Sequence, residues 1–378
     1  MKKIVSLFVL TMLLVITSCS DESTKPETTD AQNVTAEMTG SVDQVMKSEG
    51  AVALDNNMDI LNNLNFPSPV KNLKEALSSI ERDESIRNFN PVKEMFSGTE
   101  STKQEEHFIF EDNLGTYECT DITTATDENG EEYVVDVQWD IVPGGNNITI
   151  LIPADVALDE KKFEMVINDY DDQYIAGYGY PPTLMEMQIS VDDTLVFDLV
   201  LNAQWEYIPA MTDIMPVSLT MSLGITPYDI QMDFSLTENE MNYDILVTEN
   251  NDNLLDLTAR ILFTDQTFEE VEELEIHYTV DNYGIEMFAN SAFIALTESA
   301  DVTPQQIVDA VNAGEDVYLK IKEDGNVIGK LAAKIVEVTY GGQTYEEVEL
   351  YVLFNDGSTM TQEEMDSLFE DMFGDIAV

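Results

Sequence analysis

Residues Thr194–Tyr207 read T-L-V-F-D-L-V-L-N-A-Q-W-E-Y. Leu195, Phe197, Leu199, Leu201, Ala203, Trp205 and Tyr207 occupy every second position, and Asp198, Asn202, Gln204 and Glu206 lie between them. Side chains alternate across a strand, so this spacing makes one apolar and one wet face. The same period continues on both sides. Tyr133, Val135, Val137, Trp139 and Ile141 alternate against Val134, Asp136, Gln138 and Asp140. Phe163, Met165 and Ile167 form another apolar face, and Leu255, Leu257, Ala259, Ile261 and Phe263 a further one. In Leu274–Val280 the wet face carries Glu275, His277 and Thr279. Strand patterns also cover Ile148–Pro153, Asp229–Leu236, Asn242–Thr248 and Ile285–Ala292.

The links between these runs have turn chemistry. Asp127-Glu128-Asn129-Gly130, Pro143-Gly144-Gly145-Asn146, Asp192-Asp193 and Thr226-Pro227 each separate two alternating segments. An internal echo sets Pro182–Val191 against Pro216–Ile225. Each copy is a strand entered from a proline and answered by a second strand, as in repeated hairpins. Residues 105–300 are therefore expected to form a long antiparallel β-meander of about ten to twelve strands. Sheets of that size curl, split or close. The expected fold class is α+β, mostly β: a curved sheet or half-barrel whose apolar face is covered by N- and C-terminal helices.

Helical periods flank the meander. Over residues 40–104, Val42, Val45, Met46, Val52, Met58, Ile60, Leu61 and Leu64 recur at three- and four-residue steps. Pro67 and Pro69 break the run, and Leu73, Leu77 and Ile80 form a second stripe. A C-terminal α/β segment, residues 301–378, is expected to pack on the sheet. Thr303-Pro304 opens a short helix and Gly314 closes it. Glu323-Asp324-Gly325-Asn326 is a hairpin turn, and Thr361-Gln362-Glu363-Glu364 is a capping box before a last amphipathic helix.

The chain has 378 residues, 74 acidic and 17 basic, for a formal net charge of −57. Nucleic acid binding needs a basic footprint and is excluded as a partner class. The chemistry of Met1–Ser18 is that of a removable signal: Lys2 and Lys3, then an apolar run too short to span a bilayer comfortably. It ends in Ile16-Thr17-Ser18-Cys19, which resembles a bacterial lipobox, in which the cysteine is lipidated and becomes the first mature residue. The resemblance implies a membrane partner through lipidated Cys19. Ser20 in place of aspartate implies the outer membrane, and Asp21-Glu22 resembles the short acidic export signal of Bacteroidetes surface lipoproteins. Residues 19–39 read as a flexible acidic tether. With strands of the type P-T-L-M-E-M-Q-I-S-V-D-D-T-L at 182–195 and Phe354-Asn355-Asp356-Gly357-Ser358 before the last helix, the chain resembles uncharacterised Bacteroidetes lipoproteins. In architecture it also resembles the lipoprotein-carrier half-barrel, with helices over a concave apolar face. These likenesses imply location, and fold alone does not give activity.

No phosphate loop, dinucleotide fingerprint, zinc spacing or nucleophile elbow is present in the sequence. The histidines are His107 and His277, and the cysteine left beside Cys19 is Cys119, in a strand-like run that favours a buried thiol. The densest acidic loop, Asn168–Tyr174, offers Asp169, Asp171 and Asp172 to a calcium ion. It lacks helix-loop-helix spacing and a closing glutamate, so a solvated turn is the competing reading. Tyr178 and Tyr180 form an aromatic loop suited to stacking on sugars or partners, although an aromatic turn packed on its own sheet is the commoner arrangement. Met185, Met187 and Met221 are candidates for an adaptable ligand surface, with core filling the favoured reading. The expected function is a non-enzymatic, outer-membrane-anchored, surface-facing lipoprotein with a binding or structural role. A carrier or sensor of a hydrophobic ligand held between curved sheet and helices is the alternative, and a hydrolase using scattered acids is the third reading.

Overall fold

The computed structural model describes residues 29–34, 108–126, 132–157, 161–176, 178–209, 213–268, 270–299, 301–340, 343–365 and 368. The signal, Cys19, the helical segment at 40–104, the turn at 127–130 and the helix beyond residue 368 lie outside the described residues. The described chain is mostly β and divides into two compact units, one built on residues 45–234 and one mainly on 251–377.

The first unit holds β1 (Gly115–Thr126), β2 (Glu132–Pro143), β3 (Ile148–Ile152), β4 (Phe163–Asp172), β5 (Pro182–Val191), β6 (Thr194–Ile208), β7 (Asp213–Ile225) and β8 (Tyr228–Leu236). From β3 to β8 the strands neighbour one another in chain order. The expected alternation is real. Ile148, Ile167, Met187, Leu199 and Leu223 stand in register across five strands, and each is at most 1 % exposed. Burying such a side chain contributes about 2 kcal/mol. A one-residue slip anywhere in this row turns a strand's apolar set to the other face, so the row fixes register.

The expected purely antiparallel meander needs one correction. β1 lies between β2 and β3, antiparallel to β2 and parallel to β3. β2 and β3 run as a hairpin would, but the start of β1 is inserted between them. Gly115 makes the insertion possible: a Cβ there would sit 2.7 Å from the Val142 carbonyl oxygen. Gly115 N–H donates to the Asn147 carbonyl, and Gly144 N–H to the Leu114 carbonyl, so the 144–147 link closes around the end of β1.

A second correction concerns the opening stretch. Phe197 through Trp205 are buried on one face as expected, but Leu195 is 46 % and Tyr207 47 % exposed. The β5–β6 ladder slips between Ile189↔Phe197 and Ser190↔Leu195, making Val196 the extra residue of a bulge. Val196 turns inward and Leu195 outward.

The second unit holds β9 (Glu240–Glu249), β10 (Asp252–Phe263), β11 (Val271–Val280), β12 (Tyr283–Asn290), β13 (Val317–Glu323), β14 (Asn326–Tyr340), β15 (Gln343–Phe354) and β16 (Thr359–Thr361), with α1 (Ser291–Glu298) and α2 (Pro304–Ala313) between β12 and β13. The ladders from β10 to β16 are antiparallel between chain neighbours, and β13 pairs with β12 over seven positions. Hairpin turns sit where Asx and glycine residues tolerate positive φ: Asn250 and Asn251 at 51° and 72°, Asp324 and Gly325 at 50° and 78°. Tyr278, Ile285, Ile321, Gly329 and Phe354 form a cross-strand row. Phe354 and Val352 close over Gly329, where a Cβ would meet both at 3.0 Å. Val34, Met365 and Leu368 pack into the same core.

The strand expected over Ile285–Ala292 stops two residues earlier. Asn290 still pairs with Glu273, yet its side chain accepts from the Ala292 and Phe293 N–H groups and caps α1. α2 matches its sequence signals: a Thr303–Gln306 capping box, Pro304 in the first turn, and Gly314 left-handed at the end. Its Asn312 amide bonds both the N–H and the carbonyl of Ala333. The Thr361–Glu364 capping box is also formed.

Candidate functional site

Every candidate residue from the sequence except Cys19 lies on β4 to β7 or on the β4–β5 turn. The three methionines are core. Met185 and Met187 have no exposure and Met221 is buried; Met185, Leu201 and Met221 stand in one cross-strand row.

The acids point elsewhere. Asp169 and Asp171 are exposed, and each gives a carboxylate oxygen to a neighbouring N–H, Tyr170 and Asp172 respectively, at 2.9 Å. Both stand on β4, opposite Glu186 and Leu184 of β5, so the stretch expected as an acidic loop is strand as far as Asp172. Among the described residues no group of three or more His, Cys, Asp or Glu side chains converges as a metal ion requires. Tyr170, between them, is buried, and its ring meets Phe108 edge-on at 5.2 Å. Burial first, and then the Asp172 and Asp171 carboxylates, push its phenol well above the ordinary value.

The turn itself is a small, tightly bonded structure. Gln173 N–H donates to the Pro181 carbonyl and Ile175 N–H to the Gly179 carbonyl at 2.8 Å. The Tyr178 and Gly179 N–H groups both return to the Ile175 carbonyl, which closes the tip. Gly179 has φ +95°, a conformation open to glycine and strained for other residues. The base is pinned from β6: buried Trp205 donates its indole Nε1–H to the Pro182 carbonyl at 2.7 Å.

This frame holds four tyrosines. Tyr174 and Tyr180 contact with ring centroids 5.1 Å apart, and Tyr178 lies 5.8 Å from Tyr207. Both pairs are tilted, and Tyr174 is 63 % exposed. Tyr178 and Tyr180 were legible as an aromatic loop. Tyr174 stood in the acidic stretch and Tyr207 at the end of a strand face, and only the fold brings them in. The exposed end position of Tyr207, past the last buried residue of its strand, was the available signal.

The remaining reactive groups are elsewhere. His277 lies on β11 with Nε2 2.9 Å from Glu275 Oε1 and Nδ1 3.8 Å from Glu286 Oε1, on the wet face. Cys119 is fully buried, and that burial raises its thiol pKa, which suppresses the thiolate.

No protein-family model matches the sequence, and no curated protein is similar to it. Among solved structures, a porin-like protein from Bacteroides vulgatus aligns over 65 % of this chain and 96 % of its own, with 11 % identity and a TM-score of 0.20. A score of 0.20 establishes no shared fold.

Proposed function

We propose that the chain is a lipid-anchored, surface-facing envelope protein that works by binding, and that Tyr174, Tyr178, Tyr180 and Tyr207 form the surface on which a neutral saccharide stacks. The observation that carries this reading is the two tilted tyrosine pairs, each joining an exposed ring, Tyr174 or Tyr207, to a half-buried one, Tyr180 or Tyr178, beside a turn whose base bonds Trp205. A rigid aromatic surface loses little side-chain entropy on binding. Tyrosine adds a hydroxyl edge to an apolar face, which suits a sugar's own apolar faces and hydroxyl rims. The net charge of −57 repels anionic polymers at long range and leaves neutral ones unaffected. In the same reading Cys19 supplies the anchor, and the helical segment expected at 40–104 supplies cover for the apolar sheet face. The hydrophobic-carrier reading draws no comparable support, since its methionine candidates Met185 and Met187 have no accessible surface to offer a ligand and Met221 only 7 %.

The test titrates a soluble form beginning at Ser20 with a panel of neutral oligosaccharides, followed by NMR and calorimetry. Binding by at least one member is expected, with loss in the Tyr174→Ala/Tyr207→Ala double variant and an unchanged far-UV spectrum. Silence across the panel, or binding indifferent to the double variant, overturns the saccharide assignment. For the anchor, the full chain should incorporate labelled palmitate and Cys19→Ala should not.

A further inference from the structure

A strand at the end of a sheet keeps one row of backbone N–H and C=O groups without a strand partner, and folded proteins guard such edges with charges, prolines, bulges or a covering segment. β2 is an end strand. β1 lies on one side of it, and among the described residues no strand pairs with the other. Its guards are few. Its own bulge falls early, at Val135, where Thr123↔Asp136 gives way to Thr124↔Val134. From 136 to 143 β2 has no further extra residue, and its proline, Pro143, stands at the very end. The other bulge of this ladder belongs to β1, where the Thr120 hydroxyl donates to the Gln138 carbonyl at 3.3 Å. In the second unit the comparable edge is better guarded. β16 covers β15 from Tyr351 to Leu353, and Glu346, Glu347 and Glu349 occupy the stretch before it.

The edge of β2 has two faces of different chemistry. Val137, Trp139 and Ile141 lie on one, opposite Ile122, Cys119 and Tyr117 of β1. Gln138, Asp140 and Val142 lie on the other, opposite Asp121, Glu118 and Thr116. Ile141 is 55 % and Val142 64 % exposed, so apolar surface flanks the strand's end on both faces. The wet face is acidic and uncompensated. Glu118 and Asp140 are direct cross-strand partners, an unfavourable arrangement for like charges. β1 and β2 together carry five acids and no base, and from residue 104 to residue 160 the sequence has no lysine or arginine. A second copy of this chain would set the same acids against themselves, so self-pairing is disfavoured.

We propose that residues 137–142 of β2 dock an extended, basic segment of another protein, which adds to the sheet as a further strand. Its lysines or arginines lie over Asp121, Glu118 and Asp140, and its apolar side chains cover Ile141. Main-chain hydrogen bonds along the edge give affinity, and the acids select the partner. The edge contains none of the four tyrosines, so this assignment and the saccharide assignment stand or fall separately.

The test titrates the soluble form beginning at Ser20 with three peptides: alternating lysine and valine, the same peptide N-methylated at alternate backbone nitrogens, and alternating glutamate and valine. Amide exchange and calorimetry are the readouts. In the free protein alternate amides between 137 and 142 should exchange fast, as an open edge requires. The lysine peptide should bind and slow them, the N-methylated one should bind at least about tenfold more weakly, and the glutamate one not at all. Asp140→Lys should weaken binding about tenfold. It also places a base opposite Glu118, so its melting temperature should hold or rise, and lost binding would not be lost folding. Asp233→Lys, an exposed acid on β8, should leave binding unchanged. The proposal is overturned if the lysine peptide does not bind, or if N-methylation is without effect, which would mean charge attraction alone. It is also overturned if Asp233→Lys weakens binding as much as Asp140→Lys, or if every amide from 137 to 142 in the free protein is as slow as Ile150 of β3, an edge already covered by the chain itself.

Discussion

Replacing Trp205 by Phe tests whether the tyrosine surface is held by the sheet beneath it. Trp205 is 4 % exposed, and its Nε1–H donates to the Pro182 carbonyl at 2.7 Å from within the core. Phenylalanine keeps an aromatic body at the site but has no donor. Removing one partner leaves a buried carbonyl unsatisfied, at about 1–3 kcal/mol. The missing second ring leaves a void that adds about 1–2 kcal/mol, because a packed interior relaxes only in part. Together these give a loss of about 3 kcal/mol. With a urea m-value of about 3 kcal/mol/M, the midpoint should fall by about 1 M, read by far-UV circular dichroism. The loss should also be local. Amide exchange at Gln173 and Ile175, which close the β4–β5 turn, should quicken more than exchange at Thr149 on β3. Trp139→Phe on β2 is the comparison for losing an indole elsewhere. A midpoint shift below about 0.3 M, or equal quickening at all three amides, would refute the reasoning that this single bond couples turn and core.

Three further perturbations follow from the same packing. Asn290→Ala removes the cap that accepts from Ala292 and Phe293 at 3.1 and 3.2 Å, as well as the bond to Asp316 at 2.9 Å. It should cost about 1–2 kcal/mol in thermal unfolding, and a neutral result would mean that α1 is held by packing alone. Glu286 is held below its ordinary 4.5 by its hydrogen bond to the Lys322 ammonium. That stabilisation is complete above the unfolded-state value and disappears as pH falls through the depressed one. Lys322→Met should therefore be less stable than the parent at pH about 7, with the gap closing as pH falls below the ordinary 4.5; a gap independent of pH would contradict the assignment. Cys119, buried with its thiol pKa raised, should resist Ellman's reagent at about pH 8 in the folded Ser20-start protein and react fully in urea; fast native reaction would show that strand β1 opens.

What the sequence disclosed and what it withheld divide along the range of the physics involved. Period-two alternation is local, so the buried row through Ile148, Ile167, Met187, Leu199 and Leu223 was legible strand by strand. The turn at Asp192-Asp193, where both residues take positive φ, and the caps at Thr303 and Thr361, where side chains bond adjacent backbone, were legible for the same reason: each rests on a few neighbouring residues. The placement of β1 between β2 and β3 was not legible, because nothing in a strand's period names its neighbour. Tyr207 joins Tyr178 only because β5 and β6 fold back on each other, so half of the candidate surface was invisible to any reading of one loop.

The cross-strand pairing of Lys320 with Lys330 shows how fine this limit is. Around the Asp324-Gly325 turn, Glu323 pairs with Asn326 and Lys322 with Val327, a register that would set Lys330 opposite Leu319. Leu319 is buried, so that register would drive an ammonium into the apolar face. Instead the ladder slips between Lys322 and Ile321, leaving Ile328 as the extra residue, and Lys330 emerges opposite Lys320. A bulge re-aims every side chain that follows it. Here it keeps Gly329, Leu331 and Ala333 toward the core while setting two cations face to face on the surface. The core requirement explains why the slip occurs.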